Sequence, residues 1–219
     1  MDKRTPVTVL ATLHHLHGQT SFYTFDDLAR IIRTIAPDLL GVELTPTDLE
    51  SRRDQRIKQE YPRSVFPLLD EGLCQAFPLE PSEPTFSRLV EMGRRAQEAL
   101  HRRAPEVEEA FGRYVESLYE TLFGWWASPL DVNSEETDRH FEIKHKFQAA
   151  VFGPEEHEGW EGWNQYFLDR ILEAVAQRPG ARVLVLVGAE HTYWLRKRLR
   201  EEESVRLVSV AEALGGETA

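Results

Sequence analysis

The run of residues 183–187, VLVLV, bounded by Gly180 and Gly188, most narrows what this chain can become. Valine alternating with leucine over strand length reads as a strand buried on both faces. Such strands belong to parallel sheets covered by helices on either side. Past Gly188 the pattern becomes helical: Tyr193, Trp194, Leu195 and Leu199 are apolar, and Arg196, Lys197, Arg198 and Arg200 are basic. The cations gather toward the C-terminal end, where the helix dipole favours them; the run 196–200 reads as a solvated helix end. His191 therefore sits where a buried strand passes into a helix. In open α/β sheets that rim, outside the carboxyl ends of the strands, is where ligands bind.

Two further runs repeat the strand pattern. Residues 6–13 (PVTVLATL) end in His14-His15-Leu16-His17-Gly18, and residues 39–44 (LLGVEL) carry Glu43 near their end. Between them Thr24 and Asp27 resemble a capping box. Leu28, Ile31, Ile32 and Ile35 follow at helical spacing, and Pro37 stops the helix. Strand, helix and strand with short connections form a βαβ unit, so these two strands are expected to be parallel. Residues 46–61 read as a solvated helix, and 73–79 as a short edge strand because of Pro78. Residues 84–123 are helical in spacing and are split at Pro105, with Trp125-Trp126 closing the stretch. Residues 131–152 read as a helix capped by Ser134, 153–162 as an acidic loop, and 160–177 as a helix with the stripe Trp163, Phe167, Arg170/Ile171 and Ala174. Residues 205–210 read as the last strand. The expectation is one α/β domain over residues 1–210, a mostly parallel central sheet flanked by helices. Residues 84–152 form an inserted helical subdomain or cap, and 211–219 a C-terminal tail, frayed from Gly215.

The totals exclude some functions. A net charge of −11 argues against a nucleic-acid partner, which would need a basic face. One cysteine, Cys74, allows neither an intramolecular disulfide nor a cysteine-based zinc site, and fits a reducing, cytoplasmic setting. No apolar run approaches 18 residues, so no membrane span is expected. The opening residues read as a first strand rather than a signal peptide. The oligomeric state is left open.

His14, Glu43 and His191 fall in equivalent places at strand ends. If their strands are neighbours, all three face one crevice. Two imidazoles and a carboxylate suit a divalent metal such as Mn, Co or Zn. They equally suit a general base, its orienting acid and a second proton carrier without a metal. Arg170, on the apolar stripe of its helix, is a candidate partner for Glu43 or a stabiliser of an oxyanion. Plainer readings stand beside these. Each histidine can be a hydrogen-bonded structural residue, with His15 and His17 exposed in the loop. Glu43 can cap a helix, Arg170 can serve a structural ion pair, and Trp125, Trp126, Trp160 and Trp163 can be core. Glu190 reads as a first-turn acid favoured by the dipole, or as a further ligand beside His191.

With these residues in view, the chain resembles the TraB/TIKI superfamily, whose distant relatives include erythromycin esterases and ChaN-like haem-binding proteins. Gly188-Ala189-Glu190-His191 resembles the second of that group's paired G-x-x-H motifs. Ala11-Thr12-Leu13-His14 resembles the first, with alanine in the glycine position. Leu40-Gly41-Val42-Glu43-Leu44 resembles its acidic motif. Asp169-Arg170 resembles its arginine motif, with Ile171 where the family often continues with asparagine. The resemblance covers residues 6–45 and 160–210. It implies a hydrolase: a metal-dependent peptidase in TIKI-like members, or metal-independent hydrolysis with a histidine base in esterase-like ones. In ChaN-like members it implies haem or cofactor binding. The leading expectation is a hydrolase acting on a peptide or small-molecule substrate, with a metal on His14, Glu43 and His191 and with Arg170 assisting. A non-enzymatic binding or sensing protein using the same pocket is the alternative.

Overall fold

The computed structural model describes residues 4–53 and 56–215. Five strands form one sheet: β1 (Thr5–Thr12), β2 (Leu39–Val42), β3 (Gln75–Pro78), β4 (Val183–Gly188) and β5 (Val205–Leu207). Their order is β3-β2-β4-β1-β5, and every pairing is parallel. The chain is therefore an α/β protein, as its apolar runs require.

The alternation in residues 183–187 explains the layering. Successive side chains of a strand point to opposite faces. Leu184 and Leu186 enter one hydrophobic cluster, with Leu10, Leu40, Leu28 and Ile32; Val183, Val185 and Val187 enter the other, with Val7, Val9 and Leu39. Helix α1 (Phe25–Ile35) covers the first face. Its capping box at Thr24 and Asp27 forms as the sequence predicts, and Ala36 closes it in a left-handed conformation before Pro37. After β2 come α2 (Pro46–Ser51), a π-helical turn (Tyr61–Val65) and α3 (Phe66–Asp70). The middle of the chain forms α4 (Thr85–Arg103), α5 (Pro105–Trp125), α6 (Pro129–Val132) and α7 (Glu135–Phe152), the last capped by Ser134. Helices α8 (Pro154–Gln177) and α9 (Ala189–Glu201) cover the second face through Phe167, Ile171, Leu195 and Leu199. A final turn, α10 (Val210–Ala213), follows β5.

Several segments differ from the sequence reading. The helix expected over 46–61 stops at Ser51, where Arg52 takes a left-handed conformation. The acidic stretch expected as a loop is the start of α8, because Pro154 sits in its first turn with Glu155 and Glu156 beside it. The last strand is three residues long, and Ser209 caps α10 where the expected strand would continue and the tail would begin. Residues 216–219 of the expected tail lie outside the described residues. The second half of the expected insertion shares the central core: Leu118, Leu122, Trp126, Val132 and Phe141 belong to one cluster with Leu10 and Leu186. No helix among the described residues is long and apolar enough to cross a membrane.

Candidate active site

Register brings the motif residues together. Thr12 of β1 stands opposite Gly188 of β4, and Val42 of β2 stands opposite Leu186. His14, two residues past Thr12, and Glu43, one past Val42, therefore flank the end of β4 from its two sides. His191 rises from the first turn of α9 at the same rim. Gly188 lies at the meeting point: a Cβ placed on it would stand 2.7 Å from His14 Nε2 and 3.6 Å from Glu43 Oε2. A side chain there would crowd the His14 ring but leave Glu43 at ordinary contact distance.

Each histidine is held through Nδ1. His14 Nδ1 donates to Glu60 Oε1 at 2.7 Å, and Thr12 Oγ1 donates to the same oxygen at 3.2 Å. Glu60 is fully buried, and its other oxygen has no hydrogen-bond partner among the described residues. His191 Nδ1 donates to Asn164 Oδ1 at 2.8 Å, an arrangement that requires the N–H on Nδ1 and leaves Nε2 as acceptor. The flat side of His191 stacks on Trp160, with centroids 4.5 Å apart.

The two imidazoles are tuned in opposite directions. Burial opposes a charge on His14, but Glu60, and Glu43 beyond it, outweigh burial and raise its pKa above the usual histidine value. Burial drives His191 down to about 4 in spite of the attraction of Glu43. Glu43 is buried, yet Lys58, His14, His191 and the Gly188 amide hold its carboxyl far below the ordinary range. Its Oε2 accepts from Gly188 N at 2.7 Å, and its Oε1 lies 3.0 Å from Lys58 Nζ. Lys58 Nζ also donates to Glu80 Oε1 at 2.6 Å and to the Glu43 carbonyl at 2.8 Å, while Tyr61 Oη accepts from Glu43 N.

Two cavities open at this rim. One, of about 420 Å³, is lined by Glu43, Lys58, Glu80, Trp160, Trp163 and His191 among others. The other, of about 260 Å³, is lined by His14, Gly188, Tyr119, Glu190, Trp160 and His191 among others. His191 and Trp160 form walls of both. Glu190 accepts from Tyr119 Oη and Lys144 Nζ, both at 2.7 Å, and lies 3.1 Å from His145 Nε2. These partners hold its charge inside the wall.

The structure thus brings His14, Glu43 and His191 to one rim of the sheet, His191 lining a cavity with each of the other two, and leaves Arg170 out of both cavities. Arg170 pairs with Glu173 on its own helix, partly exposed, and the cation beside Glu43 is Lys58. The buried stripe of α8 runs through Asn164, Phe167, Leu168, Ile171 and Val175, so Arg170 lies one step off it. His17, expected in an exposed loop, is buried; it accepts from Leu13 N and donates to the Tyr23 carbonyl, a fully satisfied structural histidine. His15 is exposed as expected.

The cofactors implied by the family resemblance fit this arrangement poorly. A dication on Glu43 would meet the Lys58 ammonium, which already occupies one carboxylate oxygen while a backbone amide occupies the other. Among the described residues, no three His, Cys, Asp or Glu side chains are grouped so as to hold a metal ion. Haem needs one continuous flat slot, whereas His191 and Trp160 stand between two smaller cavities.

Sequence reasoning missed Lys58, Glu60, Glu80 and Asn164. For Asn164 a signal existed, since it is a polar residue on the apolar face that also carries Phe167 and Ile171. For the other three there was none, because they lie in charged or irregular stretches without periodicity. No protein-family model matches the chain, and neither a curated protein nor a solved structure is significantly similar to it.

Proposed function

We propose that this crevice hydrolyses an ester or amide of a peptide or small molecule by acid–base catalysis between two imidazoles, without a metal ion. Neutral His191, its Nδ1–H fixed on Asn164, offers Nε2 to a water molecule. Water attacks the substrate carbonyl carbon and its proton passes to His191, whose imidazolium then gains the nearby charge of Glu43. Protonated His14, held by Glu60, supports the oxyanion and gives its Nε2 proton to the leaving group as the bond to carbon breaks. The first turn of α9, which no side chain caps, lines the cavity that holds His14, and its free amides would add to the support of that charge. Exchange with solvent then resets both rings.

One observation carries this reading. Two histidines in defined orientations share a crevice, and their pKa values are pushed apart, one up and one down to about 4. Such divergence assigns an acid and a base. The G-x-x-H resemblance supports the hydrolase class, and the ammonium beside Glu43 favours its metal-independent branch. A reducing, cytoplasmic setting accords with the single Cys74.

The test is hydrolysis of p-nitrophenyl esters and aminoacyl p-nitroanilides by the wild type and by His191→Ala, each before and after dialysis against a chelator. We expect turnover that falls about 10²- to 10⁴-fold in the variant and is indifferent to the chelator. Failure of the wild type to hydrolyse either class would overturn the hydrolase reading. Loss on chelation with recovery on adding Mn, Co or Zn would overturn the metal-free mechanism.

A further inference from the structure

We infer that the larger cavity is a subsite for a primary alkylammonium group of the substrate, a proposal that rests on the hydrolase reading for its link to catalysis.

The charge balance is the first reason. Three carboxylates, Glu43, Glu80 and Glu156, line the cavity, and Lys58 is the one lysine or arginine among its lining residues; Lys144 and His157 also attract Glu156. Lys58 is shared between Glu43 and Glu80, at 3.0 and 2.6 Å. Glu80 and Glu156 are 6% and 9% exposed, yet each uses only Oε1, toward Lys58 and Gln148 respectively. No hydrogen bond among the described residues uses their Oε2 atoms, and neither atom is shut away in the interior, so both are acceptors that a ligand in the cavity can reach. A cationic donor entering the cavity gains charge-assisted hydrogen bonds to these oxygens.

The second reason is the apolar part of the wall. Phe86 of α4 and Trp160 and Trp163 of α8 line the same space, with Phe86 and Trp163 edge to face at 5.4 Å. Aromatic rings beside carboxylates suit a cation carried on an alkyl stem. An anion would meet three carboxylates, and a neutral ligand would leave their charge unrelieved. Burial pushes Glu80 up to about 7 and raises Glu156 as well, a penalty that an arriving ammonium reduces.

The third reason is position. His191 lines the same cavity, so an ammonium seated between Glu80 and Phe86 leaves the adjoining part of the molecule beside the proposed base. Gly93 also lines the cavity, with open space where a side chain would begin. The preferred substrate therefore carries an amine a few bonds from its scissile carbonyl.

Binding without turnover tests this separately from hydrolysis. The probes are 2-phenylethylammonium, 2-phenylethanol and 3-phenylpropionate, titrated into the full chain by calorimetry and by tryptophan fluorescence. We expect the ammonium to bind about tenfold or more tightly than the alcohol or the carboxylate. We expect Glu80→Gln to lower that affinity about tenfold and Phe86→Leu, at the end of α4, to lower it a few-fold. Phe86→Leu keeps the test decisive if Glu80→Gln does not fold. Equal affinities for the three probes, or an ammonium affinity unchanged in whichever variants fold, would overturn the subsite. Ammonium selectivity in a protein that hydrolyses nothing would leave the subsite standing and remove only the hydrolase reading.

Discussion

His14 has a φ of +51°, in the left-handed region that residues with a side chain adopt at a cost of order 1 kcal/mol. The conformation turns the ring back toward Gly188 and its Nδ1 onto Glu60. Strain at the residue that supplies the proposed acid suggests that ring placement, not folding, sets its backbone. The pH dependence of kcat/KM follows from the two pKa shifts. The base works only when neutral, above about 4, and the acid only when protonated, below a pKa raised above the ordinary 6.5. A bell with a plateau from about pH 5 to beyond 6.5 is expected; a profile rising continuously to pH 9 would contradict the assignment. Gly188→Ala has a different signature. Its φ of −54° and ψ of 143° suit any residue, so the fold should survive with little change in Tm. The added Cβ displaces the His14 ring, and a shift near 1 Å should lower kcat about 10²-fold. His14, Glu43 and His191 were legible because each follows an apolar run. Lys58 and Glu60 were not, because they lie in the irregular, polar stretch that leads into the π-helical turn, where spacing carries no message.

At the scale of elements, β5 is too short to complete the edge of β1. It pairs only with Thr5, Pro6 and Val7, so the upper edge groups of β1 need other partners. Arg196 Nη2 donates to the Val9 carbonyl, Asn133 Oδ1 accepts from Ala11 N, and Tyr23 Oη donates to the Ala11 carbonyl. Arg196 also makes a two-pronged bond to Asp138, which accepts from Thr192 Oγ1 as well. What read as one more solvated cation of α9 is thus a buried clamp. Charge periodicity alone could not distinguish it from Lys197 and Arg198, which are exposed. Arg196→Ala strands Asp138 and opens the edge, and should cost about 3–5 kcal/mol of stability by urea denaturation. At temperatures where the variant is folded, KM should stay near that of the wild type. The strands and most helices were legible from apolar spacing. The early start of α8 could have been read from Pro154, Glu155 and Glu156, since proline and acids favour a helix N-terminus.

For the molecule as a whole, the sequence separates a sheet from a helical middle, but the packing does not. Phe141 of α7 is fully buried in the cluster that holds Leu10 of β1 and Leu186 of β4. Calorimetric and van't Hoff enthalpies of unfolding should therefore agree, with no separate transition for residues 84–152. Phe141→Ala should destabilise the whole by about 3–5 kcal/mol. Stability should also fall on acidification. His191 is kept neutral in the fold, so the unfolded chain takes up a proton near pH 6.5 and the folded chain only near 4. Across that window its contribution is lost at a rate of order 1 kcal/mol per pH unit. His191→Gln should flatten the slope of denaturation midpoint against pH between 6.5 and 4.

The sheet order has a consequence for how the protein comes into being. β1 is made first, yet both of its neighbours, β4 and β5, belong to the last forty or so positions of the sequence. A nascent chain emerging from the ribosome carries His14 and Glu43 long before the strand that separates them exists. Partial products that stop short of residue 183 should hold neither a finished sheet nor a working pocket, and activity should appear only once β4 and α9 have been made.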